Sequence, residues 1–232
     1  MQPLKLYGGI LGPNPLKVAI ILGVLQLPYE TEVIMPDQLK TPTYEAINPN
    51  GRLPSLYDPN TEITLWESGA IIEYLIERYD TEEPRKLSFP PRSADAEHAR
   101  QWLYFQTSGQ GPYYGQGYWF MRHHAEKVPS AIERYVNEAK RVTGVLDRWL
   151  AKQKQIYQDQ PGDGPWLVGN RMSYADLAFI SWQRTPRSTF VEAGFDVDSF
   201  PHEKDWFERM TSHEDVKAVL DASLKVMAAL HK

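Results

Sequence analysis

The pattern of this chain changes once, near Arg92, and that change constrains the fold more than any other feature. Up to Asp80, short apolar strand signals alternate with amphipathic helical ones; beyond Arg92 the signal is almost wholly helical. Leu4 to Tyr7 reads as a strand, and Pro15 to Leu25 reads as a helix on the spacing Leu16, Ala19, Ile20, Leu22, Val24. Gly23 weakens that helix slightly. Tyr29 to Met35 alternates and reads as a second strand, and Thr43 to Ile47 as a short helical piece. Ser55 to Tyr57 and Ile63 to Trp66 read as strands joined by the hairpin connection Asp58-Pro59-Asn60-Thr61. Ala70 to Tyr79 is a further helix. The order β-α-β-α-β-β-α describes a small mixed sheet with helices packed on its faces.

Asp80 to Arg92 is rich in charge and proline and reads as a linker. Helices are then expected over Ala94 to Gln106, Ser130 to Lys154, from Ser173 onward, Phe200 to Met210 and Val216 to Leu230. Gly111-Pro112, followed by Tyr113-Tyr114, is expected to interrupt the helical region. Ser173 and Asp176 stand at the spacing of a capping box, with Met172 and Leu177 at staple positions. The expected organisation is a first domain over 1–83, a linker over 84–92 and a helical domain over 93–232.

Composition narrows the chemistry. The formal net charge of −5 gives a nucleic-acid partner no electrostatic support. The absence of cysteine removes disulfides, cysteine-ligated metals and a protein thiol nucleophile together. His123 and His124 are adjacent, so on a helix they point about 100° apart and do not chelate together; no metal is expected. The start Met1-Gln2-Pro3-Leu4-Lys5 has no secretory core, and no stretch is apolar for long enough to span a bilayer. The expectation is a cytoplasmic protein with no membrane and no nucleic-acid partner.

The run Leu11 to Ile20 reads as a loop that delivers an asparagine to a helix start, with Asn14 as N-cap and Pro15 at the first helical position. A strand, a polar loop and a helix N-terminus together suit an anion. Because the chain has no cysteine, a thiolate held there arrives on a ligand.

Pro54 at a strand start, Glu67-Ser68 at a helix start and the Ser173-x-x-Asp176 box, in this order on a two-part chain, resemble the glutathione transferase family over essentially its whole length. A narrower likeness rests on Asn14-x-x-Lys17-Val18-Ala19-Ile20, Asn48-Pro49-Asn50-Gly51-Arg52-Leu53-Pro54, Trp66-Glu67-Ser68-Gly69-Ala70-Ile71 and Phe105-Gln106-Thr107-Ser108-Gly109 through Gly115-Gln116. Glu133-Arg134-Tyr135 and Trp166-Leu167-Val168-Gly169 extend it. These resemble the branch that holds the bacterial nu class and the transferase-like domain of the yeast nitrogen-catabolite repressor.

The resemblance implies an α/β thioredoxin-like N-terminal domain (βαβαββα), an all-α C-terminal domain, and glutathione as cosubstrate without a metal. It implies a cis peptide bond before Pro54, so that Leu53 pairs with the cysteinyl backbone of the peptide; an ordinary trans proline at an edge strand is the alternative. Ser68 and the helix N–H groups would take the γ-glutamyl carboxylate and Glu67 its ammonium; Ser68 as a mere N-cap is the other reading. Arg52 and Lys40 would lie near the glycine carboxylate. Two groups are candidates to activate the thiol, the Asn14 amide and the Tyr7 hydroxyl, and each could instead be structural, as a cap and as a core aromatic. Leu11, Gln110, Tyr113, Tyr114, Trp119, Phe120 and Arg134 are candidates for a second-substrate pocket between the domains, for a small hydrophobic electrophile. A homodimer is implied, with Trp102 to Tyr118 contributing. The leading activity is glutathione transfer, in detoxification or secondary metabolism. A glutathione-dependent disulfide reductase or peroxidase is the alternative, and a non-catalytic regulatory or binding protein on the same fold is the reading from another class.

Overall fold

The computed structural model describes residues 1–10 and 12–230, with the backbone alone at 230. Its elements in chain order are β1 (Leu4–Tyr7), α1 (Pro13–Val24), β2 (Tyr29–Glu32), α2 (Pro42–Glu45), β3 (Ser55–Asp58), β4 (Ile63–Trp66) and α3 (Ser68–Tyr79). There follow α4 (Ala94–Phe105), a π-helical turn over Gln106–Gln110, α5 (Gly111–Arg122), α6 (Pro129–Ile156), α7 (Tyr174–Ser188), α8 (Pro201–Ser212) and α9 (Glu214–Leu230). They form two compact units, Met1–Ser88 together with the segment from Thr211, and Phe89–Met210.

The first unit has the expected thioredoxin-like order. Its sheet runs β2-β1-β3-β4, with β1 and β2 parallel and the other pairs antiparallel. Leu4, Leu6 and Tyr7 on β1 and Ser55, Leu56 and Asp58 on β3 are buried, whereas Lys5 and Tyr57 are partly exposed. β2 is shorter than its alternating sequence suggests: it ends at Glu32, opposite the last residue of β1. Val33 and Met35 lie beyond the last paired residue and stay exposed.

Pro15 to Leu22 of α1 are all buried, Lys17 among them. Its start differs from the sequence reading. Gly12, not Asn14, is the N-cap, and no side chain caps it; Pro13, not Pro15, is the first helical residue. The reason is local: Gly12 is extended at φ −101°, ψ 159°, and its carbonyl already accepts the Leu16 N–H at 2.9 Å. Both prolines then fall in the first turn, where a missing N–H has no intrahelical partner to lose.

The segment after α3 is an ordered strap despite its linker composition. The buried Asp80 carboxylate accepts the N–H groups of Lys86, Leu87 and Ser88 at 2.7, 2.9 and 2.7 Å. α9 also packs in this unit, on α1. It crosses at Gly23, where an added Cβ would come within 2.7 Å of Val219 Cγ2. The buried Ser223 hydroxyl donates to the Ile10 carbonyl at 2.7 Å. Sequence pattern assigned all of 93–232 to the helical domain; the chain from Thr211 instead completes the first unit.

In the second unit α4 and α5 form one helical run. Gly111-Pro112 was expected to break it. The break is absorbed by the π turn, in which the Gly111 N–H reaches back to the Gln106 carbonyl just before a proline that donates nothing. Tyr114, Val136, Ala139, Val142, Phe190 and Phe195 make one core cluster. The capping box at Ser173 forms as expected. Asp176, fully buried, accepts from the Ser173 N–H, the Leu167 N–H and the Trp206 indole, each at 2.9 Å, and so ties α7 to the preceding loop and to α8.

Candidate active site

Strand register brings three loops to one edge of the sheet. Tyr7 lies opposite Glu32 on one side and Ser55 on the other, and Ser55 lies opposite Trp66. This row is the end of β1, the start of β3 and the end of β4. The segment after Tyr7 leads to Asn14, the one before Ser55 is Leu53-Pro54, and the one after Trp66 is Glu67-Ser68. Positions scattered over more than fifty residues of sequence, from Asn14 to Ser68, are thus gathered at one sheet edge.

Asn14 is the second residue of α1 and half-buried. Pro13 and Pro15 flank it and neither has a backbone N–H. Of the N–H groups that a helix start presents, this one has those of Gly12 and Asn14. An anion at this end therefore has the main-chain N–H groups of Gly12 and Asn14 to meet rather than four. Tyr7 is buried, with its ring 6.4 Å from that of Tyr44 in an edge contact and the Lys5 ammonium 4.9 Å from its centroid.

The loop before β3 is braced from two sides. The Arg52 carbonyl accepts from the Tyr44 hydroxyl at 2.9 Å and from the Asn48 side-chain amide at 2.6 Å. Gly8 sits at φ +104°, and a Cβ there would lie 3.0 Å from the Leu53 side chain, so a glycine is what lets the β1–α1 loop lie against Leu53. The Leu53–Pro54 peptide bond is cis, as the resemblance implied. Lys40 donates to the Asn50 carbonyl at 2.7 Å; it and Arg52 are both exposed.

At the third loop Ser68 is the first residue of α3 and buried, and Glu67 is the N-cap, with no side-chain cap hydrogen bond. The reading of Ser68 as an N-cap is therefore replaced. Glu67 is exposed at φ 68°, ψ 112°, a backbone conformation that costs a side-chain-bearing residue about 1–3 kcal/mol and that clusters at ligand clamps.

The residues proposed for a second substrate divide. Leu11 lies outside the described residues. Gln110 and Tyr114 are fully buried in the second unit's core and are bonded there. The Gln110 amide donates to Gln183 Oε1 at 2.8 Å, the Gln183 amide to Thr143 at 3.2 Å, and Tyr114 pairs with Thr143 at 2.7 Å. Gln110 ends the π turn and Tyr114 follows it by four residues, and both turn into the bundle. Tyr113 and Phe120 are half-buried, and Trp119 and Arg134 are exposed. Phe120 stacks on Tyr135 at 5.7 Å.

Known proteins place this arrangement. The family profile described as the N-terminal domain of glutathione S-transferase matches residues 6–84, and that of its C-terminal domain matches 117–214. The glutathione S-transferase-like protein gedE of Aspergillus terreus is 59% identical over 96% of both chains. The chain belongs to the glutathione S-transferase family. Among solved structures, the glutathione transferase URE2P6 of Phanerochaete chrysosporium, in complex with oxidized glutathione, superposes with a TM-score of 0.87. It is 40% identical, covering 97% of this chain and 98% of that one. The nitrogen regulation fragment of the yeast prion protein Ure2p gives a TM-score of 0.83 at 33% identity, over 95% of this chain and 98% of that one. The transferase-family chain thus falls beside Ure2-type members, as the motifs around Asn14 and Gln106 implied.

Among the described residues of this transferase-family chain, no group of three His, Asp or Glu could hold a metal ion, and no helix is long and apolar enough to cross a membrane. Sequence reasoning passed over Gly8, Tyr44 and Ser223, which brace these loops. Tyr44 and Ser223 had no legible signal, since their partners are main-chain carbonyls.

Proposed function

We propose that this chain binds glutathione along the shared sheet edge and activates its thiol for attack on a small hydrophobic electrophile. The carrying observation is the row Tyr7, Ser55, Trp66, which brings the Asn14, Leu53-Pro54 and Glu67-Ser68 segments together. In this reading the Leu53 backbone pairs with the cysteinyl unit, Ser68 takes the γ-glutamyl carboxylate, Glu67 takes its ammonium, and Arg52 and Lys40 attract the glycine carboxylate. Asn14 donates an amide hydrogen bond to the sulfur.

The magnitudes are adequate. A free thiol titrates near ~8.5, and lowering it by about two units needs roughly 2.7 kcal/mol of preference for the anion. A hydrogen bond to a charged acceptor supplies roughly 1.5–3 kcal/mol, and the helix dipole adds about 0.3–1. With two prolines in the first turn, most of that falls on Asn14. The amide stabilises the thiolate and accepts no proton; the proton leaves to solvent. The sulfur then forms a bond to the electrophilic carbon, and the leaving group departs with its electron pair.

Asn14→Ala is expected to cut kcat/KM for glutathione conjugation by roughly 10- to 100-fold with the melting temperature little changed, and Tyr7→Phe to cut it less. The reverse order in stopped-flow thiolate absorbance and steady-state rates would transfer the role to Tyr7. A second reading, reduction of glutathione disulfides by the same thiolate, is supported by the relative in complex with oxidized glutathione and needs no protein cysteine. Homodimer formation is supported by the exposed rings of Tyr104 and Tyr118. Light scattering is expected to give twice the monomer mass of 26.7 kDa.

A further inference from the structure

The segment between β2 and β3 is anchored by two side chains. From Val33 to Asn50 every residue is exposed or half-buried except Tyr44 and Asn48. Both direct a donor at the same acceptor, the Arg52 carbonyl: the Tyr44 hydroxyl at 2.9 Å and the Asn48 side-chain amide at 2.6 Å. The Asn48 oxygen accepts the Asn50 N–H at 2.9 Å, so the nitrogen of that amide is the end left to meet Arg52. The Tyr44 oxygen also lies 3.0 Å from Ser55 Oγ. A phenol has one proton to give. Tyr44 gives it to Arg52, so Ser55 is the donor in the second contact. A chain of hydrogen bonds thus runs from the Ser55 hydroxyl through Tyr44 to the Arg52 carbonyl, and its two ends flank Leu53 and Pro54. Tyr44, Asn48 and Ser55 are all buried, which shields these bonds from competing water.

A carbonyl oxygen has two lone pairs, and here each has a donor. Turning the Arg52 carbonyl outward would break both bonds and leave two buried donors unmatched, so its direction is fixed. The Arg52–Leu53 peptide bond is trans and planar. The Leu53 N–H therefore points opposite to that carbonyl, away from Tyr44 and Asn48. We propose that Tyr44 is a positioning residue of the glutathione site: by holding the Arg52 carbonyl, with Ser55 behind it, Tyr44 aims the Leu53 N–H at the cysteinyl carbonyl of the bound peptide. The inference rests on the glutathione reading above and deepens it. Tyr44 acts through the peptide plane and not on the ligand. A phenylalanine at this place would anchor the segment by its ring alone; the hydroxyl adds the direction.

Binding of S-methylglutathione to the full chain tests this, because its blocked sulfur takes thiol ionisation out of the measurement. By calorimetry Tyr44→Phe, which keeps the ring and removes the hydroxyl, is expected to weaken binding about fivefold. The glycyl ethyl ester of the same ligand lacks the glycine carboxylate and is expected to show the same loss, since the Leu53 N–H meets the cysteinyl carbonyl. Ser55→Ala gives a smaller loss alone and almost none in the Tyr44→Phe background, where its partner is already gone. By NMR at saturating ligand, amide exchange at Leu53 is slowed less in Tyr44→Phe than in wild type, while the slowing at Ser68 is the same in both. Equal affinity of wild type and Tyr44→Phe overturns the proposal and leaves the glutathione reading intact. So does a loss that vanishes with the ester, which would place the effect on the Arg52 side chain, and so does protection that falls equally at Leu53 and Ser68. Failure of wild type to bind S-methylglutathione overturns both. Should Tyr44→Phe not fold, Ser55→Ala carries the test through the same comparison of Leu53 with Ser68.

Discussion

A lysine buried in an apolar helix reports its surroundings through pH. Burial holds the Lys17 amine near 7 in the folded chain, against 10.5 when unfolded. Between those values the unfolded chain carries a proton that the folded chain lacks. The penalty for burying Lys17 is therefore complete below about pH 7 and is lifted as pH rises toward 10.5. Its slope is at most about 1.4 kcal/mol per pH unit. Urea unfolding of wild type and Lys17→Met at pH 7 and pH 9.5 is expected to show the variant ahead at the lower pH and the gap narrowing at the higher one. A constant gap would mean that Lys17 stays charged throughout. The same scale explains Asn14. Its neighbours Pro13 and Pro15 remove main-chain donors from the helix start, which leaves the side chain a larger share of any sulfur it meets.

Helices in this protein are placed by what crosses them as much as by their own propensities. Gly23 illustrates the difference. From sequence it is a weak point in α1, and Gly23→Ala should add about 0.8–1 kcal/mol of helix stability. In the fold it is the point where α9 comes nearest, and the new methyl would meet Val219 at 2.7 Å. Val219 is β-branched and buried, so it has little freedom to turn aside. Gly23→Ala is expected to destabilise the chain by about 1–3 kcal/mol, the usual cost of overpacking a tight contact. The paired variant Gly23→Ala/Val219→Ala is expected to recover part of that loss, and thermal unfolding of the set checks it. The π turn at Gln106–Gln110 follows the same logic: Pro112 forces a local widening, the buried Gln106 amide donates to Gln110 within the turn, and the Gln110 amide donates across to Gln183 and to the Phe179 carbonyl.

At the scale of the whole molecule, the first unit is not continuous in the chain. Its core uses α9, whose Ser223 fastens the Ile10 carbonyl in the loop that leads to Asn14. A chain ending at Met210 loses that fastening and uncovers the α1 surface at Gly23. It is expected to melt well below the full chain and to lose retention on glutathione resin, even though every motif from Asn14 to Ser68 is still present. Retention equal to that of the full chain would show that the first unit stands without its last helix.

The order of strands and helices up to Tyr79, the wholly helical remainder and the Ser173–Asp176 box are all legible in the residues, because apolar periodicity, turn chemistry and capping act over a few neighbouring positions. So is the asparagine-bearing helix start, although its N-cap lies two residues earlier than the side chain alone suggests, since Gly12 is extended and Pro13 already fits a first turn. Other features were settled by contacts between distant parts of the chain. These are the row that joins Tyr7, Ser55 and Trp66, the strained Glu67, the burial of Lys17, the withdrawal of Gln110 and Tyr114 into the core, and the return of α9 to the first unit. Local periodicity cannot choose between them and their alternatives. An amphipathic helix such as α9 specifies that one face will be buried, and only the completed packing decides against what.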